Sequence, residues 1–491
     1  METRVRIVGR GVENASSQNS PDRTGKEAAA TAKPRRERRS PLALREEQAW
    51  RDDIAIVQAL VVALRKSGVF DAPTAKLLAD ECRALKDEAK KGSLPPPEYE
   101  SERLGGILSR LRDRDSEAGA LVAWVVNDAD VASARLRLVS RRLCTRLIAS
   151  LIDVQESLMQ IAKGHRTTPV AVHVAGSHGT ITSVAHIMLG FADIFQHDVE
   201  RLIDALTDSD ESPLGSGGGV PGTLPIDRKA IAGELSFSAV TMNSLSGVLN
   251  GDGAAELAFD AHLVMGHVVQ LATVCDTWVR KHGYLTIAEE GLRGLGPRSE
   301  HRPHVLPVME RAAASVRGHA ESFMTMVTNP APDPLLVEFW QELLNELMGE
   351  TITAVERMAN ILDSSTIHDP ILRESVTHPM LFLRDVVEHF VMSGESLTMA
   401  TDHARSVLQH VQQNRPLAKD EQEVIMGLID AVQALKRRES VGGPGPQTVG
   451  KQIVRLAASI ARSRRLVPVL AKATRRDREV GAAAVERSHR T

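Results

Sequence analysis

One stretch of this sequence groups an imidazole with hydroxyl side chains. In HVAGSHGTITSVAH, His178 stands directly after Ser177 and two residues before Thr180. A neutral imidazole titrates near physiological pH, so this group of side chains could exchange protons with a substrate. A histidine at the start of a helix is also common as a capping or surface residue. The stretch is therefore a candidate acid/base site, and a cap is the alternative.

A second stretch combines glycines with a serine and several cationic side chains. In EEGLRGLGPRSEHRP, Ser299 stands among Arg293, Arg298 and Arg302. Nearby positive charge favours deprotonation of a serine hydroxyl, which a serine needs in order to act as a base. A loop of glycine and arginine is also typical of exposed surface. Catalytic use of Ser299 and simple exposure both remain open.

A third stretch, residues 211–228, reads ESPLGSGGGVPGTLPIDR and interrupts a chain that is otherwise rich in helical patterns. Glycine costs a helix roughly 1 kcal/mol per position relative to alanine, so the glycines between positions 215 and 222 exclude a regular helix. The stretch predicts a shaped loop. This loop either shapes a site or only joins two helices, and its composition does not decide between them.

The elements around these stretches are long helices. Apolar residues recur every three or four positions over five segments, which predicts helices at about 129–163, 183–206, 256–282, 304–327 and 335–362. Helices of this length exceed the width of a small domain, and one chain cannot cover five apolar stripes. We therefore predict an all-α fold with a long central helix bundle, buried by association with other copies in a homotetramer.

The chain divides into four predicted parts. Residues 1–45 have too little apolar content for a core and predict a disordered extension, and residues 46–125 predict an N-terminal helical domain. Residues 126–365 form the central bundle, and residues 366–491 form a C-terminal helical domain with a basic tail. The basic helix from Lys451 onward is typical of a solvated face, with contact to a polyanion or a membrane surface as the alternative.

Composition excludes several classes of protein. The 491 residues carry a formal net charge of −3 and only 3% aromatic residues, which gives no support for nucleic-acid binding. Cys82, Cys144 and Cys275 lie far apart inside apolar patterns and predict reduced core thiols. The N-terminus has no apolar signal region, and no run of 18 apolar residues occurs, so we expect a cytoplasmic protein without a membrane span.

Signatures of other enzyme classes are missing from the sequence. It contains no HExxH, no Walker loop and no Gly-x-Ser-x-Gly. The histidines lack the spacing of metal ligands, since His262 and His267, five residues apart, do not share a helix face. We therefore predict neither a metal site nor a cofactor.

Several separated motifs together resemble one family. The helix end HDVERLIDAL, the segment SPLGSGGGVPGTLPIDR, and the following ELSFSAVTMNSLSGVLNGD are similar in order and spacing to argininosuccinate lyase, in the aspartase/fumarase superfamily. NDADVASARLRL, VVEHFVMSGESLTMATDHA and SVGGPGPQTV also resemble the family's segments. The resemblance covers most of the chain from about residue 50, and it implies a long helix bundle with smaller N- and C-terminal helical domains.

The resemblance also implies a chemistry. In these lyases a base removes a proton next to a carboxylate, donors hold the dianionic intermediate, and an amine leaves, which gives fumarate. The family's base is a serine in a Gly-Ser-Ser-x-Met-Pro-x-Lys-x-Asn loop, whose two serine positions fall here on Gly294 and Leu295. Ser299 is the nearby substitute for that base, and Arg298 and Arg302 are candidates for binding a dianion.

Two further family motifs fall on candidate residues. The Thr-His pair of Thr-His-Leu-Gln-Arg-Ala-Gln-Pro falls on Ser177 and His178 if three residues are deleted. This alignment implies His178 as a catalytic residue, with Ser177 and Thr180 binding substrate. The motif His-Thr-Gly-Arg-Ser-Arg-Asn-Asp corresponds to LVAWVVND, in which Asn127 and Asp128 survive. Asn127 could donate to a substrate carboxylate or cap a helix, and both uses stay open.

The departures from the family leave two hypotheses about function. The family motif Tyr-Asn-Arg-Asp-x-Gln-x-Asp-Lys, which anchors the amino-acid half of argininosuccinate, maps onto PLLVEFWQE and keeps none of its functional residues. The first hypothesis is a carbon–nitrogen lyase whose site accepts a different succinyl-amine adduct, a small dicarboxylate, and still releases fumarate. The second is a catalytically inactive paralogue that keeps the oligomer as a structural or binding partner.

Overall fold

The computed structural model describes residues 41–95, 100–172, 179–292, 305–327 and 334–470. These residues are mainly helical, and the helices are α1 (Pro41–Lys66), α2 (Ala72–Lys91), α3 (Glu100–Arg114), α4 (Ser116–Val125), α5 (Asp128–Gly164), α6 (Val184–Asp208), α7 (Arg228–Glu234), α8 (Ser244–Leu249), α9 (Asp252–Thr277), α10 (Val305–Val327), α11 (Pro334–Asp363), α12 (Asp369–Ser375), α13 (Leu383–Met392), α14 (Leu397–Gln412), α15 (Lys419–Leu428), α16 (Ala431–Arg437) and α17 (Pro446–Leu470).

Short strands pair locally between these helices. In the described residues they are β1 (Pro169–Val172), β2 (Thr180–Ser183), β3 (Glu211–Ser212), β4 (Ala239–Val240), β5 (Leu285–Ile287) and β6 (Ser365–Ile367). β1 pairs with β2 and β5 with β6 in antiparallel orientation, and β3 pairs with β4 in parallel. Strands this short tie connections together and do not form a core, so the prediction of an all-α fold is confirmed.

The five predicted long helices are present as α5, α6, α9, α10 and α11. Their apolar faces form the largest hydrophobic cluster of the protein, as the 3.6-residue period predicts. Local signals also hold, because Asp71 caps α2 by accepting a hydrogen bond from the Thr74 N–H at 2.8 Å. One boundary differs from expectation: α1 begins at Pro41, inside the segment 1–45 that was predicted to be a disordered extension.

One end of the bundle lies at the start of α5. Arg141 of α5 forms an ion pair with Asp210, which follows α6. A Cβ added to Gly253 in the first turn of α9 would lie 2.5 Å from Ser209. The N-terminal end of α5, the C-terminal end of α6 and the N-terminal end of α9 therefore lie together. We call this the loop end, because it also holds the glycine loop, defined here as residues 213–222.

The opposite end of the bundle lies at the C-terminus of α5. His165, directly after α5, has its Nδ1 atom 3.0 Å from a carboxylate oxygen of Asp369, and Thr168 donates to the same carboxylate at 3.2 Å. Leu285 of β5 lies opposite Ile367 of β6, just before Asp369. The strands β1 and β5 therefore lie at this end, which we call the hairpin end.

The C-terminal part contains a small helical cluster and a helix that returns to the bundle. Helices α13 to α15 bury a hydrophobic cluster of their own. Helix α17, which belongs to the predicted C-terminal domain by sequence, packs on α5 and α6. Val449, Leu456 and Ile460 join the main core, and Arg464 forms an ion pair with Asp153 of α5 at 3.0 Å.

Burial accounts for two features of composition. Cys82, Cys144 and Cys275 are all buried free cysteines, as predicted for core thiols. Within the described residues, the stretch Ser244–His282 alone is long and apolar enough to cross a membrane, and an 18-residue window in it has a mean hydropathy of 1.3. Half of that window is buried in the bundle, so its composition reflects packing in the core.

Candidate active site

A buried carboxylate at the start of α5 holds the glycine loop. The Asp130 residue is 2% exposed, and its side chain accepts hydrogen bonds from the backbone N–H groups of Gly217 at 2.9 Å and Gly218 at 3.0 Å. Burial raises the pKa of Asp130, whereas these N–H donors and the charge of Arg228 act in the opposite direction. The carboxylate fixes the path of the loop against the helix.

Gly218 of the glycine loop lies beside the N-terminal end of α5. Its φ of 68° lies in the left-handed region, and an added Cβ would lie 3.0 Å from the Nδ2 atom of Asn127. A larger side chain would strain the backbone and push against Asn127. The glycine therefore allows the loop backbone to lie directly beside the Asn127 amide.

A second side chain, Arg228, holds the loop from the other side. Its Nε atom donates to the Leu214 carbonyl at 3.0 Å, and its Nη2 atom donates to the hydroxyl groups of Ser216 and Thr241, both at 3.0 Å. The Ser244 hydroxyl donates to the carbonyl of Gly219 at 2.7 Å. The loop is thus shaped by specific hydrogen bonds and is more than a link between two helices.

Asn127 caps helix α5. Its Oδ1 atom accepts hydrogen bonds from the N–H groups of Ala129 at 3.0 Å and Asp130 at 3.3 Å. The structure therefore contains the cap that the sequence left as one of two uses. Only Oδ1 is needed for the cap, and no described residue accepts a hydrogen bond from the Nδ2 group. The donor that a substrate carboxylate would need lies beside the glycine loop.

Thr180 lies at the hairpin end, in strand β2. It pairs with Val172 of β1, so the segment with His178 connects two antiparallel strands and does not lead directly into a helix. The Thr180 hydroxyl accepts a hydrogen bond from Arg438 at 3.2 Å. Ser183 caps α6 by accepting a hydrogen bond from the His186 N–H at 3.1 Å. The cap that we considered for His178 is therefore supplied by Ser183.

The remaining candidates lie outside the described residues. These are Ser177 and His178, in the segment between β1 and β2, and Ser299, Arg298 and Arg302, before α10. The described residues on either side locate only the ends of these segments. Both segments depart from the hairpin end, the first from β1 and the second from the region of β5.

The candidates that the structure does describe are far apart within one chain. Helix α5 has 37 residues and is therefore about 55 Å long at roughly 1.5 Å per residue. Asn127 precedes its first residue, whereas Thr180 lies in the hairpin beyond its last. One chain does not bring these two side chains together, so a site that used both would require two copies of the chain.

Three residues that organise these regions were missed in the sequence. Asp130 stands in the quoted stretch NDADVASARLRL, but an acidic residue in the first turn of a helix is ordinary. Arg228 is the last residue of the quoted segment SPLGSGGGVPGTLPIDR, which indicated the family but no role for the arginine. Arg438 contacts Thr180, Ile181 and Asp385, which are distant in sequence, and no local signal predicts such contacts.

Comparison with known proteins supports the resemblance inferred from the motifs. A family model described as lyase matches residues 122–279. An argininosuccinate lyase of Anaeromyxobacter dehalogenans is 26% identical over 444 residues, covering 85% of this chain and 92% of the relative. An argininosuccinate lyase of Methanoculleus marisnigri is 28% identical over 447 residues, covering 84% and 88%.

Solved structures show the same fold. An EDDS lyase in complex with formate superposes with a TM-score of 0.76 at 16% identity, over 90% of this chain and 92% of that one. The 3-carboxy-cis,cis-muconate lactonizing enzyme of Pseudomonas putida gives a TM-score of 0.67 at 16% identity, over 87% and 97%. The resemblance to argininosuccinate lyase is confirmed, and the fold is that of the aspartase/fumarase superfamily.

Proposed function

We propose that this protein is a carbon–nitrogen lyase of the argininosuccinate lyase type, which eliminates an amine from a succinyl-amine adduct and releases fumarate. The observation that carries the proposal is the similarity to argininosuccinate lyases over more than four fifths of both chains. This similarity includes the glycine loop and the start of α5, where Asn127 offers an amide donor. The proposal uses neither a metal nor a cofactor.

The reaction needs a base, donors for developing negative charge, and an assisted amine departure. Asn127 supplies a donor for a carboxylate of the substrate. Arg298 and Arg302 supply positive charge for the dianionic intermediate. We assign the base or acid to His178, with Ser299 as the alternative base, and place Ser177 and Thr180 in substrate binding.

Argininosuccinate itself is not the substrate that we propose. The segment PLLVEFWQE, which takes the place of the family's anchor for the amino-acid half, forms the start of α11. In that segment Val337 is 5% exposed and Trp340 is 3% exposed, and both belong to the bundle core. Buried apolar side chains cannot hold an amino-acid headgroup, so the amine half must differ.

The proposed assembly is a homotetramer. Large apolar side chains near the glycine loop are exposed in the single chain, since Trp124 is 80% exposed, Val220 81% and Met242 97%. Contact with another copy of the chain would remove these apolar side chains from water. A site that used Asn127 together with Thr180 would require such association, because α5 separates the two residues within one chain. The buried free thiols are typical of a reducing compartment, which supports the cytoplasm as the location.

The test is formation of fumarate. Purified protein is incubated with a panel of aspartate adducts, argininosuccinate included, and the ultraviolet absorbance of fumarate is followed. We expect turnover of at least one adduct and little or none of argininosuccinate. A folded tetramer that acts on no adduct would overturn the lyase proposal and favour the inactive paralogue.

A further inference from the structure

A polar cavity lies at the loop end, between α5 and the start of α9. Its volume is about 290 Å³, and neither of the described candidate site residues, Asn127 and Thr180, lines it. Pockets for drug-sized ligands occupy roughly 300–1,000 Å³, so this cavity suits a small polar molecule. Its lining comes from α5, from the end of α6 and from the segments around β3, α8 and α9.

The α5 side of the cavity, which we call the deep side, contains a buried hydroxyl. Ser140 of α5 lines the cavity and is 3% exposed, and no residue that the structure describes forms a hydrogen bond with its Oγ atom. Polar atoms buried without a partner are rare in native proteins because their desolvation is uncompensated. The hydroxyl therefore indicates a polar occupant of the cavity.

A guanidinium group lies on the same face of α5. Arg137, three residues before Ser140, donates to the carbonyl of Glu211 at 2.5 Å and to the carbonyl of Gly247 at 3.2 Å. Among the described residues both of its acceptors are backbone carbonyls. Burial lowers the pKa of Arg137, and the charge of Glu211 acts in the opposite direction. This cation would be stabilised by an anionic group in the cavity.

The start of α9 adds to the positive character of the deep side. Gly251 is the N-cap of this 26-residue helix, and the neighbouring Asn250 side chain accepts a hydrogen bond from the Asp252 N–H at 2.8 Å. The N-terminus of a helix carries a partial positive charge, which favours a carboxylate or phosphate nearby. Arg137, Ser140 and the α9 terminus thus form an anion-binding side.

The rim of the same cavity has the opposite charge. Asp208, Asp252 and Glu256 line it from exposed positions, and Glu211 lies half-buried beside them. In the part of the chain that the structure describes, no set of three or more His, Cys, Asp or Glu side chains is arranged to hold a metal ion. The rim therefore suits an organic ammonium group better than a metal.

We propose that this cavity binds a small zwitterion, such as a free α-amino acid, with its carboxylate on Arg137 and Ser140 and its ammonium group at the acidic rim. A simple anion would be repelled by the acidic rim, and a simple cation would be repelled by Arg137. A molecule with both charges satisfies both sides. This inference goes beyond the proposed lyase function and does not depend on it.

The test measures binding of defined probes to the whole protein. Thermal shift and titration calorimetry are carried out with glycine, L-alanine, acetate and methylammonium. We expect saturable stabilisation by glycine or L-alanine and at least tenfold weaker binding of acetate and methylammonium. Ser140→Ala removes a hydroxyl that has no partner in the empty cavity, so the variant should fold, and it should weaken amino-acid binding roughly tenfold or more.

The matched control is Ser150→Ala, on the same helix. The Ser150 hydroxyl is also buried, but it donates to the Arg146 carbonyl at 3.1 Å and does not line the cavity. This variant should bind glycine and L-alanine as the parent does. Asp208→Asn at the rim should weaken the binding of glycine and L-alanine. It should leave the affinity for acetate unchanged or raise it.

Three results would overturn the inference: no saturable binding of any probe, equal amino-acid binding by the parent and Ser140→Ala, or acetate binding as tight as that of glycine. None of these measurements requires turnover. Failure here therefore leaves the lyase proposal standing, and absence of lyase activity leaves the cavity proposal standing.

Discussion

The two ends of the bundle are organised by different kinds of contact. At the loop end, the backbone N–H groups of Gly217 and Gly218 donate hydrogen bonds to Asp130, which lies in the first turn of α5. At the hairpin end, Arg438 holds β2 by contacts with Thr180 and Ile181 and forms an ion pair with Asp385 at 2.6 Å. The first arrangement depends on backbone shape and the second on side chains from distant segments. Substitutions should therefore affect the two ends in different ways.

The largest effect is expected on catalysis. His178→Ala should lower the rate of fumarate formation roughly 100-fold or more, which is the scale of losing a general acid or base. Ser299→Ala should have a smaller effect, because Ser299 is offset from the family's serine position. Rates are measured by fumarate absorbance at saturating substrate.

The control for these variants is His197→Ala, at an exposed position on α6. It should retain the parent's rate. An active protein that is indifferent to both His178→Ala and Ser299→Ala would show that the chemistry lies elsewhere, and the assignment of the acid/base role to these two residues would then be wrong.

The next effect concerns stability at the hairpin end. Arg438→Ala leaves the Asp385 carboxylate, which is 8% exposed, without its closest cation. The substitution also removes the hydrogen bond from Arg438 to the Ile181 carbonyl of β2. Removal of one partner of a buried ion pair costs about 3 kcal/mol or more, and we expect a loss of that size in the free energy of unfolding in denaturant. Arg437→Ala is the control, because Arg437 lies 4.0 Å from Asp385 and is more exposed. Equal losses in the two variants would contradict a special role for Arg438.

A somewhat smaller loss is expected from the carboxylate at the loop end. Asp130→Ala leaves the N–H groups of Gly217 and Gly218 without their acceptor, which should lower the free energy of unfolding by about 2 kcal/mol. Asp128→Ala is the matched control, since Asp128 lies in the same turn but is exposed. If the control loses as much stability as Asp130→Ala, the carboxylate does not hold the loop.

The sequence predicted the bundle well because its signals are local and repetitive. The predicted helix at 129–163 is α5, Asp128–Gly164, and the predicted segment 335–362 is α11, Pro334–Asp363. Each apolar face repeats over many turns, so an error at one position changes little. The glycine loop was predicted as shaped because glycine adopts a left-handed φ, such as the 68° at Gly218, at little cost.

The candidate site was less predictable because its geometry depends on contacts between distant segments. The sequence gives Asn127 two possible uses, and only the structure places its Oδ1 on the helix cap and its Nδ2 beside the loop. Likewise, residues 172 and 180 pair as strands, a contact that their sequence does not announce. The cavity beside Ser140 forms where α5 packs on the start of α9, and no sequence motif indicates it.

The two uses of Asn127 can be separated by one substitution. Asn127→Asp keeps an oxygen for the helix cap, and asparagine and aspartate cap equally well, so the free energy of unfolding should change by less than about 0.5 kcal/mol. It replaces the Nδ2 donor with a second anionic oxygen. We expect the KM of a dicarboxylate adduct to rise roughly tenfold with a smaller change in kcat. An unchanged KM would leave Asn127 as a cap and nothing more.

The smallest effect is expected between the two ends, at a carboxyl group on α9. Burial raises the pKa of Asp260 to about 6, with Glu256 and Asp198 adding to the rise and Arg201 opposing it. The folded state therefore binds this proton more tightly than the unfolded chain does. The resulting stabilisation is complete below about pH 4 and is lost as the pH rises through about 6.

Replacing this group with a neutral one should remove that dependence on pH. Asp260→Asn should raise the free energy of unfolding relative to the parent at pH 8 and match the parent near pH 4. Asp204→Asn, at an exposed position on α6, is the control and should leave the pH profile unchanged. Denaturant melts at a series of pH values measure both. A difference between Asp260→Asn and the parent that stays constant with pH would contradict this prediction. It would mean that Asp260 ionises in the folded protein as it does in the unfolded chain, so that Asp260 adds no pH dependence to the stability of the bundle.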